Sequence, residues 1–182
     1  MEEYADHELL IKFRDEKTRH YAFSLLVKKY DKRLYKHIRR MLIDHDDTND
    51  VLQNVLIKMW DNLLGFNEQS QLFTWLYRIA SNESLNFLKK KRSKFWIPII
   101  HVEHELSQKL EDNPNLKGDE IQMKLQKAIL TLPEKQRLVF NMKYFENIKY
   151  EQMSEILGTS VGALKASYHH AVKKIENYIL NH

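Results

Sequence analysis

The sequence predicts an all-α fold, made of two small helical domains joined by a flexible linker, with the C-terminal domain a helix-turn-helix. Three observations predict it. Only 4 glycines and 3 prolines occur in 182 residues, too few breakers for the many tight turns of an all-β chain. Apolar residues recur three and four apart through most of the chain, the period of a helix with one buried face. That period lapses once, at residues 96–120, where Pro98, Pro114, Asn113, Asn115 and Gly118 collect. The boundaries read from this are a first domain over 1–95, a linker over 96–120 and a second domain over 121–182.

The first domain opens its periodicity at Phe23, Leu26, Val27, Tyr30, Leu34, Ile38 and Met41, an amphipathic helix of about five turns. His45-Asp46-Asp47-Thr48 interrupts the pattern, with Asp47 or Thr48 expected to cap the next helix. That helix turns Val51, Leu52, Val55, Leu56, Met59 and Leu63 to one side. Gly65 to Ser70 reads as a loop, with Ser70 the expected cap of a third helix. Leu72, Leu76, Ile79, Ala80, Phe87 and Leu88 face its core, and it runs out into Lys89-Lys90-Lys91-Arg92-Ser93-Lys94.

In the second domain, Leu125, Ala128, Ile129 and Leu132 form one stripe. Pro133 is expected at the first position of the following helix, where its missing N–H costs nothing, and Leu138, Val139 and Met142 bury that helix. Glu146-Asn147 turns the chain. A two-turn helix from Tyr150 ends at Leu157, and Gly158 suits the left-handed conformation that stops it. Ser160 caps a last helix with Val161, Leu164, Tyr168, Ala171, Val172, Ile175 and Ile179 inward. Two helices joined by a short glycine turn, with the small Ser154 where they cross, make the helix-turn-helix pattern. A plain αα-hairpin has the same spacing. The outer face of the last helix weighs for nucleic acid: Lys165, Ser167, His169, His170, Lys173 and Lys174, with no acid before Glu176, where a solvated face ordinarily mixes signs.

Composition narrows the function classes. With 43% hydrophobic and 30% charged residues and a net charge of +4, a soluble, mildly basic protein is expected. The absence of cysteine excludes disulfides and thiolate metal sites. The start, Met1-Glu2-Glu3-Tyr4, is acidic where a signal peptide is basic, and no apolar run reaches membrane-spanning length; neither export nor insertion is expected, and the cytoplasm is. The charge is unevenly spread: net +4 over residues 1–94, −4 over 95–120 and +4 over 121–182. Basic domains suit a polyanion, and an acidic tether keeps off it. No phosphate-binding glycine loop, nucleophile elbow or catalytic acid pair appears. His101-x-x-His104 lacks a third ligand, and neighbouring His169 and His170 diverge by about 100° on a helix. No enzyme, cofactor or metal is expected.

At this point the residues resemble a family. Asp47-Thr48-Asn49-Asp50-Val51-Leu52-Gln53-Asn54, running on to Trp60, resembles the polymerase-binding helix of extracytoplasmic-function (ECF) sigma factors. Phe73-Thr74-Trp75-Leu76-Tyr77-Arg78-Ile79-Ala80-Ser81-Asn82 resembles their promoter-melting helix almost letter for letter. Leu132-Pro133-Glu134-Lys135-Gln136-Arg137 and the helix-turn-helix resemble their C-terminal domain. The resemblance implies an alternative sigma factor that binds core RNA polymerase, recognises two promoter elements in double-stranded and melted DNA, directs initiation and is held by an anti-sigma factor.

By family position, Asp47, Asp50, Gln53, Asn54 and Trp60 are implied for the polymerase. Phe66, Thr74, Trp75, Arg78, Asn82, Lys89, Lys90 and Arg92 are implied for the minus-ten element. Ser160, Gly162, Lys165, Ala166, Ser167, His169, His170 and Lys173 are implied for the minus-thirty-five element. Asn54 stands where the family usually carries an acid, and Ser167 and His170 stand where arginine is frequent, so the promoter sequence read is expected to differ. The alternative reading is a stand-alone helix-turn-helix regulator, which leaves the Trp60 and Trp75 motifs without a purpose. A sigma-like chain that binds polymerase without initiating is a third.

Overall fold

The computed structural model describes residues 4–95 and 120–181. The described elements are helices: α1 (Asp6–Arg14), α2 (Arg19–Leu42), α3 (His45–Asn62), a 3-10 turn (Leu63–Gly65) and α4 (Leu72–Phe95), then α5 (Glu120–Leu130), α6 (Glu134–Tyr144), α7 (Tyr150–Leu157) and α8 (Val161–Asn181). The expected fold class holds. The body of the linker, with Pro98, Pro114, His101 and His104, lies outside the described residues, and Glu120 already belongs to α5.

The elements depart from the sequence reading at their ends, each for a local reason. α1 was not expected; it buries Leu9, Leu10 and Phe13 and its capping box joins the Ala5 N–H to the Glu8 carboxylate at 2.7 Å. α2 runs longer than five turns and stops where Ile43 takes φ 63°. The cap of α3 is therefore Asp44, whose Oδ1 accepts from the Asp47 N–H at 2.8 Å, in place of Asp47 or Thr48. Asp46 and Asp47 fall in the first turn, where negative charge complements the helix dipole, and Thr48 is fully buried. α4 starts at Leu72, so Gln71, not Ser70, immediately precedes it and its carbonyl accepts from Trp75 N. Pro133 sits at the cap of α6, one place before the first helical residue. Gly158 (φ 62°) closes α7 as expected, and Ser160 Oγ accepts from the Ala163 N–H at 3.3 Å to start α8.

Helices α1–α4 pack around Phe13, Leu26, Leu34, Ile38, Met59, Leu76 and Leu88. Helices α5, α6 and α8 enclose a smaller core of Ala128, Ile129, Leu132, Phe140, Ala171 and Ile175. The two units are not separated: Leu138, Val139, Met142, Ile148, Met153 and Ile156 of the second are continuous with the core of the first. α6 lies against α2 and α4, and α7 against α4.

Candidate functional site

Three surfaces carry the residues singled out in the sequence. On α3, Asp50, Gln53 and Asn54 are exposed, three and four residues apart and so on one face. Ile57 (51% exposed), Asp61 and Leu64 (50%) continue that stripe. An exposed band of carboxylate, amide and aliphatic groups suits a protein partner. Ile57, Asp61 and Leu64 stand outside the polar motif letters, and their only sequence signal is position, seven, eleven and fourteen residues after Asp50. The other two α3 candidates are engaged within the fold. Asp47 Oδ2 pairs with Lys91 Nζ at 3.2 Å. Trp60 is part-buried, stacked on His20 at 5.0 Å and edge-on to Phe13 (5.5 Å) and Phe23 (5.0 Å), so it holds α1 and α2 to α3.

The second surface is the outer face of α4 with the loop before it. Phe66 and Trp75 rings lie 5.2 Å apart, and a cleft of about 480 Å³ opens between Gly65, Phe66, Asn67, Trp75 and Arg78. A neighbouring cleft of about 650 Å³ takes in Phe66, Ser70 and Thr74. Thr74 is fully buried at its edge, and its Oγ1 has no hydrogen-bond partner. The loop is braced from α1: the Arg14 guanidinium donates to Glu68 Oε1 at 2.8 Å, and His7 Nδ1 stands 3.1 Å from Glu68 Oε2. These two contacts hold the Glu68 carboxyl below its ordinary pKa. Asn82 does not join Phe66 and Trp75. It lines a further cleft of about 520 Å³ with Lys58, Glu83, Lys89 and Arg92, closed on its other side by Glu134 and Lys135 of α6. Lys89 and Lys90 are exposed, while Arg92 pairs with Glu134 at 3.2 Å.

The third surface is the N-terminal half of α8. Ser160, Gly162, Lys165, Ala166, His169, His170 and Lys173 are exposed and Ser167 is half-buried. Leu164, Ala171 and Ile175 fix the helix from behind. Lys165 Nζ leans over the Tyr150 ring at 5.8 Å, and the His169 and His170 rings stand 6.0 Å apart. The expected basic face is thus present on one side of a helix held by its core. Among the described residues no group of three or more possible ligands stands ready for a metal, and no helix is long and apolar enough to cross a membrane.

Two helical units, the second ending in a helix whose exposed face carries no acid before Glu176 and the first bearing aromatic clefts on a basic helix, fit a DNA-binding protein. Comparison with known proteins places it within that class. Residues 26–94 match the model of sigma-70 region 2, and residues 122–175 that of sigma-70 region 4. The chain is 30% identical over 165 residues to the RNA polymerase sigma-H factor of Pseudomonas aeruginosa, covering 85% of this chain and 84% of the relative. It is 29% identical over 156 residues to the ECF RNA polymerase sigma factor SigW of Bacillus subtilis, covering 81% and 83%. In fold it is similar to CnrH, solved in complex with the cytosolic domain of CnrY (TM-score 0.70, 20% identity, 97% of each chain). It is similar also to the sigma factor RpoE of Bartonella quintana, solved in complex with the anti-sigma factor NepR (TM-score 0.67, 20% identity, 86% of this chain and 96% of that one). The chain belongs to the ECF-type RNA polymerase sigma factors. It is an alternative sigma factor that directs transcription initiation, and sigma factors are non-catalytic initiation factors. The stand-alone regulator reading gives way, because region 2 is present beside the helix-turn-helix.

Proposed function

We propose a residue-level division of labour for this sigma factor. The exposed stripe of α3 around Asp50, Gln53, Asn54 and Ile57 docks core polymerase, with Asp47 and Trp60 supporting the helix from inside the fold. The cleft of Phe66, Trp75 and Arg78 takes an unstacked base of the melted minus-ten element. Asn82, Lys89, Lys90 and Arg92 follow the strand along α4. Lys165, Ala166, His169 and His170 read base edges of the minus-thirty-five duplex, with Ser160, Gly162, Ser167 and Lys173 nearer the backbone. The chain itself catalyses nothing, uses no cofactor or metal and works in the cytoplasm. An anti-sigma factor is its expected inhibitor, in line with the anti-sigma factor NepR named with the similar RpoE structure.

One observation carries the melting role: two aromatic faces and a guanidinium meet in an open cleft of about 480 Å³. A base leaving the duplex gives up stacking worth a few kcal/mol, and an aromatic platform offsets about 1–3 kcal/mol of it. Trp75→Leu keeps an apolar side chain on the helix and removes that platform. It should leave polymerase binding unchanged and lower open-complex formation on a duplex promoter by roughly tenfold. A pre-melted template should lose distinctly less, since unpairing is then already done. Equal losses on both templates would assign Trp75 to loop packing alone.

A further inference from the structure

The promoter-melting face of α4 is engaged in part in this chain: Asn82, Lys89 and Lys90 are exposed, while the end around Trp75 and Arg78 meets the second unit. At that end α7, the first helix of the helix-turn-helix, reaches the same clefts. Glu155 borders both the cleft of Phe66, Trp75 and Arg78 and the one that Thr74 borders, and Gln152 borders the latter. Arg78 donates to the main-chain carbonyl of Glu155 at 2.6 Å. Arg92 is taken by Glu134 of α6. Two of the basic side chains of the α4 face are thus already bound, and a carboxylate stands where a phosphate would approach.

What holds the second unit there is a polar cluster centred on Glu146, in the turn between α6 and α7. Its side chain is 9% exposed. His37 of α2, itself fully buried, lies with Nδ1 2.9 Å from Oε1. The Tyr77 hydroxyl of α4 donates to Oε2 at 2.7 Å. Arg40 of α2 stands 3.6 Å from Oε1 and lays its guanidinium over the Phe145 ring at 4.8 Å. Behind His37, Nε2 meets Ser81 Oγ at 3.0 Å. Beside it, the Asn141 amide of α6 donates to the Arg40 carbonyl at 3.2 Å. One carboxylate of the second unit therefore accepts from both α2 and α4 of the first. Breaking such a buried pair by removing one partner is strongly destabilising, whereas exposed pairs matter little.

We infer that Glu146 is the bolt of an intramolecular latch, which seats α7 over the promoter-melting face and makes the second unit a competitor for that DNA site. The inference rests on the minus-ten reading only for the identity of what is excluded; the latch itself rests on the contacts. Its consequence is arithmetic. If only a fraction of molecules is open, the apparent affinity of the α4 face falls by that fraction. The α8 face, by contrast, stays accessible in the closed chain. A partner that separates the units, polymerase above all, exposes the melting face only once it is docked, and free sigma is kept off single-stranded DNA.

The test uses the full chain and two variants of the latch, Glu146→Gln and Tyr77→Phe. Both keep side-chain shape, and neither residue belongs to the proposed DNA or polymerase contacts. Small-angle scattering reads the separation of the units, and anisotropy reads binding of a fluorescein-labelled single-stranded DNA of randomised sequence. Circular dichroism confirms retained helix content. A compact 182-residue chain has a radius of gyration of about 16 Å. Both variants should exceed the wild type in radius, with Glu146→Gln the larger, and bind single-stranded DNA roughly tenfold more tightly. An increased radius with unchanged DNA affinity supports the latch and overturns the reading of the α4 face as the minus-ten site. An unchanged radius in both variants overturns the latch.

Discussion

The outer faces of α4 and α8 carry the same kind of chemistry and differ in what they touch. Each is basic and exposes side chains suited to nucleic acid. On α8, Lys165, Ala166, His169, His170 and Lys173 all meet solvent. On α4, Arg78 is bound to the Glu155 carbonyl and Arg92 to Glu134. The difference lies in what backs each face, since α8 is supported from within its own unit whereas α4 meets the other unit. If the two faces read DNA as proposed, one is presented by its own unit and the other is engaged in part by the neighbouring unit. For an initiation factor that difference is useful, because recognising a duplex needs no opening and capturing a melted base does.

The comparison breaks most severely if α8 loses its support. Phe140 is 3% exposed, stacked between Tyr144 (5.1 Å) and Tyr168 (5.7 Å). Phe140→Ala should cost about 3–5 kcal/mol of second-unit stability, seen as an early thermal transition. Duplex binding should fall with it, while polymerase binding through α3 persists. A single unshifted transition would mean that the aromatic stack does not carry that unit.

A smaller effect sharpens the α8 side. Lys165→Ala should weaken specific duplex binding by about 1–3 kcal/mol and relax preference at one base position, if the contact is to guanine. A uniform loss across sequences, with a shallower salt dependence, would reassign Lys165 to phosphate.

How much of this was legible in the sequence follows from the range of each signal. Helix periods, the Gly158 turn and the Ser160 cap are local, and they were read correctly. The start of α3 differs because three acids within four residues, Asp44, Asp46 and Asp47, compete for one cap; the positive φ at Ile43 settles it for Asp44. α1 is short, and Leu9, Leu10 and Phe13 alone make too brief a stripe. Trp60 looked like a partner-facing motif letter, but its neighbours Phe13, His20 and Phe23 are supplied by two other helices. The latch was invisible for the same reason. His37 and Glu146 are 109 residues apart, and each alone passes for an ordinary surface polar residue.

The smallest expected effect concerns pH. Burial opposes charge at Glu146, but the His37 hydrogen bond and charge, the Tyr77 hydroxyl and the Arg40 charge outweigh it, and its pKa lies below the ordinary 4.5. A carboxylate depressed in the closed form contributes fully above its ordinary value, and that contribution is lost as pH falls through the lowered one. The groups facing it are His37 and Arg40 from α2 and Tyr77 from α4. The radius of gyration should therefore be flat from pH 8 to about pH 5 as far as Glu146 is concerned, and rise below about pH 4.5. In Glu146→Gln that acid-side rise should be missing. A rise of equal size in both proteins would trace it to other carboxylates.

As a sigma factor, this chain gives core polymerase a promoter that it cannot otherwise use. Run-off transcription with cognate core polymerase and a genomic fragment library measures that directly. Discrete transcripts that need the added chain are expected, starting downstream of paired elements with a common spacing, and reduced by Trp75→Leu roughly tenfold on duplex templates but distinctly less on pre-melted ones. A chain that binds core polymerase yet yields no transcript above core alone would contradict it.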